Sequence, residues 1–344
     1  MKVLITGSRG YIGTRLCQIL NKQFKKQIEI IGIDNNFYQF KKKLEKRLLL
    51  KDIRNIKIED LKNIDVVIHL ASLSNDPLGE LNRNLTKLIN HKATTSLAKL
   101  SKKSGVKRFV FISTQSVYGI SKYKNKTIKE NDRNINPITE YAKSKLKAEK
   151  EILKLADNKF CVVILRPSTV HGPSENFRSD IVLNNLSASA FTRKKIIINT
   201  NGKPYRPVLF IDDLCKIIIA SFMKPTKQMQ KKIFNVGYPG KNFTIFQIGK
   251  MVKKVFKNSP LKVLNNPSHD ERSYKVNFDL LRSHFSDIID FKNKDIIEDI
   301  KKLKMFFSKK KFTLNDLTSD KTNRILKLRK LLKLKKLNKN LEFI

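Results

Sequence analysis

The sequence has few of the residues that mark secreted, metal-binding or membrane-spanning proteins. It has no tryptophan and only three cysteines, Cys17, Cys161 and Cys215. They are odd in number, far apart and each within an apolar pattern, which favours reduced core thiols over disulfide bonds or a metal site. No apolar run approaches the ~20 residues needed to cross a bilayer, and no leader pattern precedes the first predicted strand. We therefore expect a cytoplasmic protein without a membrane span or a bound metal.

Acidic residues are also scarce. The 30 Asp and Glu residues stand against 72 Lys and Arg, which gives a net charge of +42. Such an excess is typical of proteins that bind nucleic acid. The lysines are scattered through every segment, however, and no DNA- or RNA-reading motif accompanies them. We interpret the charge as a compositional bias and expect no nucleic-acid partner, although it favours anionic substrates.

What the sequence does contain is a regular alternation of short apolar runs and stretches of helical periodicity. This pattern predicts buried parallel strands joined by helices, in an α/β fold with a doubly wound parallel sheet. Beyond residue 166 the pattern is less regular and is interrupted by Pro and Gly loops. The predicted strands cover 3–6, 28–33, 65–71, 108–112 and 160–165, and the predicted helices cover 11–22, 84–103 and 139–156.

Three glycines, Gly7, Gly10 and Gly13, lie between the first predicted strand and helix. At this spacing Gly7 permits a tight turn, Gly10 leaves room for a diphosphate, and Gly13 lets the helix pack on the strand. Alone, the motif could be an ordinary glycine turn. Asp34 ends the next strand, 21 residues after Gly13. A carboxylate there accepts hydrogen bonds from the adenosine ribose of a dinucleotide.

The expected dinucleotide is NAD. Asp34 would repel the 2′-phosphate of NADP. Arg9, within the glycine loop, is the argument for NADP, because its guanidinium could neutralise that phosphate.

A second pattern is Tyr141-Ala142-Lys143-Ser144-Lys145, in which Tyr141 and Lys145 share one face of a predicted helix. Tyrosine titrates near pH 10 and is a poor base at pH 7. A neighbouring ammonium and a cationic cofactor ring could lower its pKa by about 3 units, which requires roughly 4 kcal/mol. In so lysine-rich a chain, the same spacing could also be an incidental feature of a surface helix.

Together these motifs resemble the extended short-chain dehydrogenase/reductase family, specifically its NAD-dependent nucleotide-sugar epimerases and dehydratases. The resemblance covers residues 1 to at least 280. The loop 71–77 and the stretch 270–274 resemble a less studied subgroup. The motifs that carry the resemblance are the glycine loop, Asp34, Lys51-Asp52-Ile53-Arg54, His69-Leu70-Ala71-Ser72, Ser113-Thr114, Val117-Tyr118-Gly119, Tyr141 with Lys145, and Leu165-Arg166-Pro167.

The resemblance implies a Rossmann-type domain and a smaller substrate-binding part. We predict an NAD-binding domain over 1–166 and a mainly substrate-binding α/β part over 167–344, with 206–237 returning to the first domain. By analogy with the family's homodimers, two chains are expected to pair through the helices near 85–103 and 139–156.

The resemblance also assigns site residues by position. Thr114 would hydrogen-bond the reacting substrate oxygen and share its proton with Tyr141, while Arg206 and Arg272 would clamp the nucleotide diphosphate. The alternative for each arginine is a solvated side chain. The catalytic residues are Thr114, Tyr141 and Lys145; the cofactor residues are Gly7, Gly10, Tyr11, Ile12, Gly13, Asp34, Asp52, Ile53, Leu70, Ala71, Ser72, Tyr141, Lys145 and Ser168; the substrate residues are Ser74, Thr114, Thr169, Asn185, Arg206 and Arg272.

Two departures from the family pattern bear on the reaction. Similar 4,6-dehydratases have Asp-Glu directly after the catalytic Thr, whereas this chain has Gln115 and Ser116, which cannot protonate a leaving hydroxyl. Thr169 replaces an Asn that contacts the nucleotide phosphate. His171 replaces a Tyr, and we interpret it as a packed loop residue.

These observations favour an NAD-dependent nucleotide-sugar 4-epimerase. The alternatives are a 4-ketoreductase or dehydrogenase with net NAD(P) turnover and, in a different class, an RNA-binding or scaffold protein on the same fold. The basic tail over 314–341 could lie on an anionic membrane, but we expect it to cover the substrate half or a neighbouring subunit.

Overall fold

The computed structural model describes residues 1–121, 126–133, 135–264 and 272–344, so Asp270 and Glu271 of the subgroup stretch lie outside the described residues. The strands of the chain are β1 Lys2–Thr6, β2 Glu29–Asp34, β3 Arg47–Leu50, β4 Val66–His69, β5 Arg108–Ile112, β6 Cys161–Pro167, β7 Thr169–His171, β8 Ile196–Ile198, β9 Val208–Phe210, β10 Lys232–Val236 and β11 Leu261–Val263. Seven of them form one parallel sheet in the order β3-β2-β1-β4-β5-β6-β10, which confirms the predicted doubly wound fold.

Helices cover both faces of this sheet. The helix predicted over 84–103 forms as α3, a π-helical segment Leu88–Ala93 and α4. The helices are α1 Tyr11–Phe24, α2 Asp76–Gly79, α3 Arg83–Lys87, α4 Thr94–Lys103, α5 Glu140–Lys154, α6 Val182–Arg193, α7 Ile211–Met223, α8 Thr226–Met229, α9 Ile245–Val255, α10 Asp279–Phe285, α11 Ile296–Lys309, α12 Leu314–Thr318 and α13 Arg324–Lys333.

Burial on both faces explains why the strands are continuous apolar runs rather than alternating ones. Val3 and Ile5 of β1 pack with Leu16 of α1 on one face. Leu4 points to the other face and packs with Leu97 of α4. The helices therefore hold the carboxyl ends of the strands in fixed positions, which is where ligands bind in this type of sheet.

The second half of the chain is joined to the sheet rather than separate from it. β10 pairs in parallel with β6, so residues 232–236 form the edge strand of the main sheet. Two small parallel pairs, β7 with β9 and β8 with β11, lie beyond it. Helix α6 packs against α9 and α11 and, with β8, forms the wall opposite the strand ends.

Helix α12, at the start of the basic stretch 314–341, packs on α6 of the substrate half, as expected. The last part of the chain, residues 323–344 and called the tail below, packs on the dinucleotide half instead. Its leucines belong to the same hydrophobic cluster as Phe37 and Ile53, which follow β2 and β3. Those segments offer an apolar surface that the α4–α5 layer leaves open, and the tail fills it. The buried tail leucines are Leu328, Leu331, Leu337 and Leu341.

The three cysteines are free and buried, as predicted for core thiols. Burial raises the pKa of Cys17 and of Cys215, so neither thiol ionises readily. In the parts of the chain that the structure describes, every helix is too short or too polar to cross a bilayer.

Candidate active site

One cavity of 680 Å³ lies at the carboxyl ends of β1, β4, β5 and β6 and extends beneath β8 and α6. All of the site residues predicted from the sequence line it, from the glycine loop at one end to Arg206 and Arg272 at the other. Its position is where doubly wound sheets bind their ligands. The structure thus brings the predicted set together, although lining a cavity does not by itself assign a role to each residue.

The glycine loop is shaped so that a side chain would not fit at two of its positions. Gly7 has φ +72°, and a Cβ there would lie 2.8 Å from the backbone nitrogen of Ala71. A Cβ on Gly13 would lie 2.1 Å from the carbonyl oxygen of Gly7. Helix α1 begins directly after Gly10, so its free N–H groups and the positive end of its dipole face the cavity. This cradle fits a diphosphate.

Asp34 lies at the end of β2, beside the glycine loop. Its two carboxylate oxygens accept hydrogen bonds from the backbone N–H groups of Arg9, at 3.0 Å, and Asn36, at 2.6 Å. Burial raises the pKa of Asp34, and these N–H groups act against that rise. The guanidinium of Arg9 donates to the carbonyl of Phe40 at 2.7 Å and lies 3.8 Å from Glu45. Arg9 is therefore already engaged by the protein, which weakens the argument for a 2′-phosphate.

The predicted adenine-side residues are also held in place. Asp52 precedes the short helical turn Ile53–Asn55 and accepts the backbone N–H of Arg54 at 2.8 Å. The Arg54 guanidinium binds both Asp52 oxygens at 2.9 Å. This pairing fixes the loop after β3 at the edge of the cavity.

Thr114 and Tyr141 meet at the centre of the cavity. Thr114 directly follows β5, and its hydroxyl is close enough to the phenol of Tyr141 to lower the pKa of that phenol. Lys145 lies one turn further along α5, where its Nζ donates to the carbonyl of Ile112 at 2.8 Å. Gly79 of α2 makes this packing possible, because a Cβ there would lie 2.8 Å from the Cβ of Tyr141. The arrangement places one phenol and one hydroxyl toward the same point.

The chain alone does not lower the pKa of the Tyr141 phenol, so the expected lowering depends on the cationic cofactor ring. Burial, with the Asp76 carboxylate nearby, raises the pKa of Tyr141 to about 12. Burial also lowers the pKa of Lys145 from its usual 10.5 to about 7. Lys145 is thus a weak cation at neutral pH and cannot by itself stabilise the phenolate.

The shifted pKa of Lys145 predicts a pH-dependent stability. Between about pH 7 and pH 10.5 the folded chain keeps Lys145 neutral, while the unfolded chain still binds its proton. Since the unfolded state binds more protons there, stability rises with pH through this window. We expect Lys145→Met to be more stable than the wild type at pH 6.5, with the difference shrinking by about 2–4 kcal/mol by pH 10. Urea unfolding at the two pH values measures this, and an unchanged difference would contradict it.

The predicted substrate residues besides Thr114 also line the cavity. Asn185 of α6 donates to the carbonyl of Ser179 at 3.0 Å. Arg206 stacks on the ring of Tyr274, 5.7 Å from its centroid. The guanidinium of Arg272 is ion-paired with Asp76 and lies 2.8 Å from the Ser116 hydroxyl. Arg272 is therefore next to the catalytic hydroxyls, and its expected contact with a diphosphate remains a prediction.

Asp76 is a residue of this site that the sequence did not predict. It begins α2, is 8% exposed, and accepts hydrogen bonds from Thr139, Ser116 at 3.4 Å, and Arg272. A signal for it was present, since an aspartate in the loop 71–77 follows strand β4 at the ligand-binding edge of the sheet. Its contact with Arg272, 196 residues away in the chain, could not be read from the sequence.

Comparison with known proteins decides the family. Residues 3–237 match the NAD dependent epimerase/dehydratase family. The chain belongs to this family. The match includes the glycine loop, Asp34 and the Thr114–Tyr141–Lys145 set.

Individual members of the epimerase/dehydratase family show a range of reactions. The chain is 30% identical to an uncharacterised UDP-glucose epimerase, YtcB, of Bacillus subtilis over 65% of this chain and 73% of that protein. It is 28% identical to a dTDP-D-glucose 4,6-dehydratase of Dictyostelium discoideum over 62% and 53% of the two chains. The structure of MoeE5 in complex with UDP-glucuronic acid and NAD shares the fold, with a TM-score of 0.77, 22% identity and coverage of 90% and 100%.

The departures from the family pattern have clear structural positions. Gln115 points away from the cavity, and its amide donates to the carbonyl of Arg166 at 3.2 Å. Ser116 lines the cavity beside Asp76. His171 is fully buried, with Nε2 3.3 Å from Asp299, and is a packed residue as expected.

Proposed function

We propose that the chain is an NAD-dependent nucleotide-sugar epimerase that inverts C4 of a hexose. The observation that carries this proposal is the position of Thr114, Tyr141 and Lys145 in one cavity, between the glycine cradle and Arg206. The cavity volume of 680 Å³ is within the usual range for small-molecule sites.

The residues at the first end fit NAD. Gly7 and Gly13 admit no side chain, the first turn of α1 offers N–H groups to a diphosphate, and Asp34 can accept hydrogen bonds from a ribose diol. Bound NAD would take up and return the C4 hydride, and its cationic ring would favour the Tyr141 phenolate. The engaged Arg9 guanidinium supports NAD rather than NADP.

The chain's own residues would move the proton. Tyr141 Oη would accept the proton of the sugar O4 hydroxyl and give it back to O4 after the sugar has turned over. Thr114 would hydrogen-bond the same oxygen and hold it beside the phenol. The proton and the hydride both return to the substrate, so no net oxidation or reduction occurs.

The surroundings of Tyr141 support epimerisation over loss of water. Neither Gln115 nor Ser116 can act as an acid, and the nearby carboxylate of Asp76 is ion-paired with Arg272. A carboxylate bound to a guanidinium is suited to accept hydrogen bonds from sugar hydroxyls rather than to protonate a leaving group. The expected homodimer, the domain boundaries and the cytoplasmic location remain predictions.

The test is incubation of the purified chain with UDP-, dTDP-, GDP- and CDP-hexoses carrying deuterium at C4. We expect one of them to yield its C4 epimer with the deuterium retained and without net formation of NADH. Three outcomes would contradict the proposal: no C4 inversion of any of the four, net reduction or oxidation of the cofactor, or a product lighter by one water. The second identifies a reductase or dehydrogenase, and the third a dehydratase.

A further inference from the structure

The tail lies against the segments that border the adenosine end of the predicted NAD site. The rings of Phe343 and Phe37 are 5.7 Å apart. Lys327 Nζ donates to the side chain of Gln39 at 2.9 Å. Phe37 and Gln39 both follow β2, the strand that ends at Asp34. The tail therefore packs on the segment that follows the residue expected to bind the ribose.

Arg324, the first residue of α13, extends from the tail into the cavity wall. Its side chain is 2% exposed, and its guanidinium carbon lies 3.9 Å from the centroid of the Tyr38 ring. Nη2 donates to the backbone carbonyl of Asn176 at 2.9 Å and to its side-chain oxygen at 2.8 Å. Arg324 lines the same cavity as the glycine loop.

This guanidinium is buried without a carboxylate in ion-pair contact, although Asp180 and Asp34 act on it from further away. Within the described ranges, no carboxylate lies within 4.0 Å of it, and its Nε and Nη1 have no hydrogen-bond acceptor. Burial lowers the pKa of Arg324 to about 10, which reflects the cost of keeping the charge there. A buried, unpaired cation is unfavourable unless a ligand supplies the partner.

The neighbours of Arg324 show where that ligand lies. Asn176, which binds Arg324, also donates to the carbonyl of Arg9 in the glycine loop at 2.5 Å. Arg178, a second cavity-lining guanidinium, is paired with Asp180. Arg178 and Arg324 thus line the wall next to the cradle at the start of α1, and Asp34 acts on Arg324 only from beyond contact distance. An anionic group bound in the cradle would complete the pairing.

We propose that Arg324 is a ligand of the adenosine diphosphate half of NAD and that the tail is a clasp that slows NAD release. This inference rests on the NAD binding proposed above and not on the reaction at C4. It accounts for an arginine at the one tail position that reaches the cavity. It also accounts for a tail that covers the dinucleotide half instead of the substrate half.

The first experiment measures how fast NAD leaves the full-length protein. The protein is loaded with radiolabelled NAD and chased with excess unlabelled NAD. We expect Arg324→Gln to release NAD about 10- to 100-fold faster than the wild type, since a charge-assisted hydrogen bond is lost. The NAD release rate of Arg324→Lys should lie between those of the wild type and Arg324→Gln. Arg329→Gln is the matched control, because Arg329 is on the same helix but exposed, and it should release NAD at the wild-type rate.

The second experiment needs no variant, so it holds even if Arg324→Gln fails to fold. Because coupling is reciprocal, NAD should slow amide hydrogen exchange in residues 324–333 of the unaltered chain. Unchanged exchange there, or an Arg324→Gln release rate equal to that of Arg329→Gln, would overturn the clasp. If Arg324→Gln releases NAD faster but the wild type inverts no sugar, the result would support the clasp and refute the epimerase. Failure of the wild type to bind NAD would refute both.

Discussion

Replacement of Tyr141 by Phe is expected to lower kcat about 10²- to 10⁴-fold, the usual contribution of a positioned acid or base. The change removes one oxygen and keeps the ring, so the packing of α5 against Gly79 is preserved. Without Oη, the O4 hydroxyl loses the acceptor that faces it, because Thr114 is not a base and Asp76 is paired with Arg272. Initial rates with whichever nucleotide hexose the wild type converts provide the measurement.

A matched variant tests whether the loss of kcat is specific to Tyr141 or follows from any replacement of Tyr by Phe. Tyr205→Phe changes a ring outside the cavity. The Nζ of Lys275 lies 4.5 Å from the centroid of this ring. The Tyr205→Phe variant should keep the wild-type kcat. If Tyr141→Phe retained more than about a tenth of the wild-type kcat, the phenol would not be the proton acceptor.

Replacement of Glu149 by Gln is expected to lower the free energy of unfolding by about 3–5 kcal/mol, because it leaves a buried guanidinium without its partner. The Glu149 side chain is 1% exposed and the Arg166 side chain 3%. Arg166 donates from Nη2 at 2.6 Å and from Nε at 3.0 Å. Ser113 also donates to Glu149, so the same carboxylate fixes the end of β5 immediately before Thr114.

Urea unfolding at pH 7 measures the loss, and two further proteins test its cause. Glu151→Gln makes the same change on the same helix at a side chain that is 45% exposed, and it should cost less than about 1 kcal/mol. The double variant Glu149→Leu with Arg166→Met removes both charges and should regain most of the stability. A loss below about 1 kcal/mol for Glu149→Gln would show that water reaches Arg166 and compensates it.

The parts of the fold that the sequence predicts are those governed by local patterns. Buried strands such as 108–112 are continuous apolar runs. Gly7 and Gly13 mark a turn in which a Cβ at either position would clash with backbone atoms. The residues of the candidate site could be predicted because they follow these strands. In a parallel sheet the carboxyl ends of the strands meet at one edge, so residues far apart in the chain come together.

The features that escaped prediction depend on distant contacts. The spacing of the tail leucines shows that one face of the helix is buried, but not against which surface. Asp76 meets Arg272, and Arg324 meets Asn176, across intervals with no periodic relation. The raised pKa of Tyr141 in the chain alone could not be read from the sequence, because its burial, which is the largest cause of the shift, is a property of the folded chain.

The position of β10 has a consequence for how the protein can be divided. Because β10 pairs with β6 through residues 161–167, a chain truncated at residue 166 would end with a bare hydrophobic edge. Unpaired N–H and C=O groups on such an edge recruit strands from other molecules, so the shortened protein would aggregate instead of folding as an independent dinucleotide-binding unit. The smallest fragment with a completed sheet extends to residue 236.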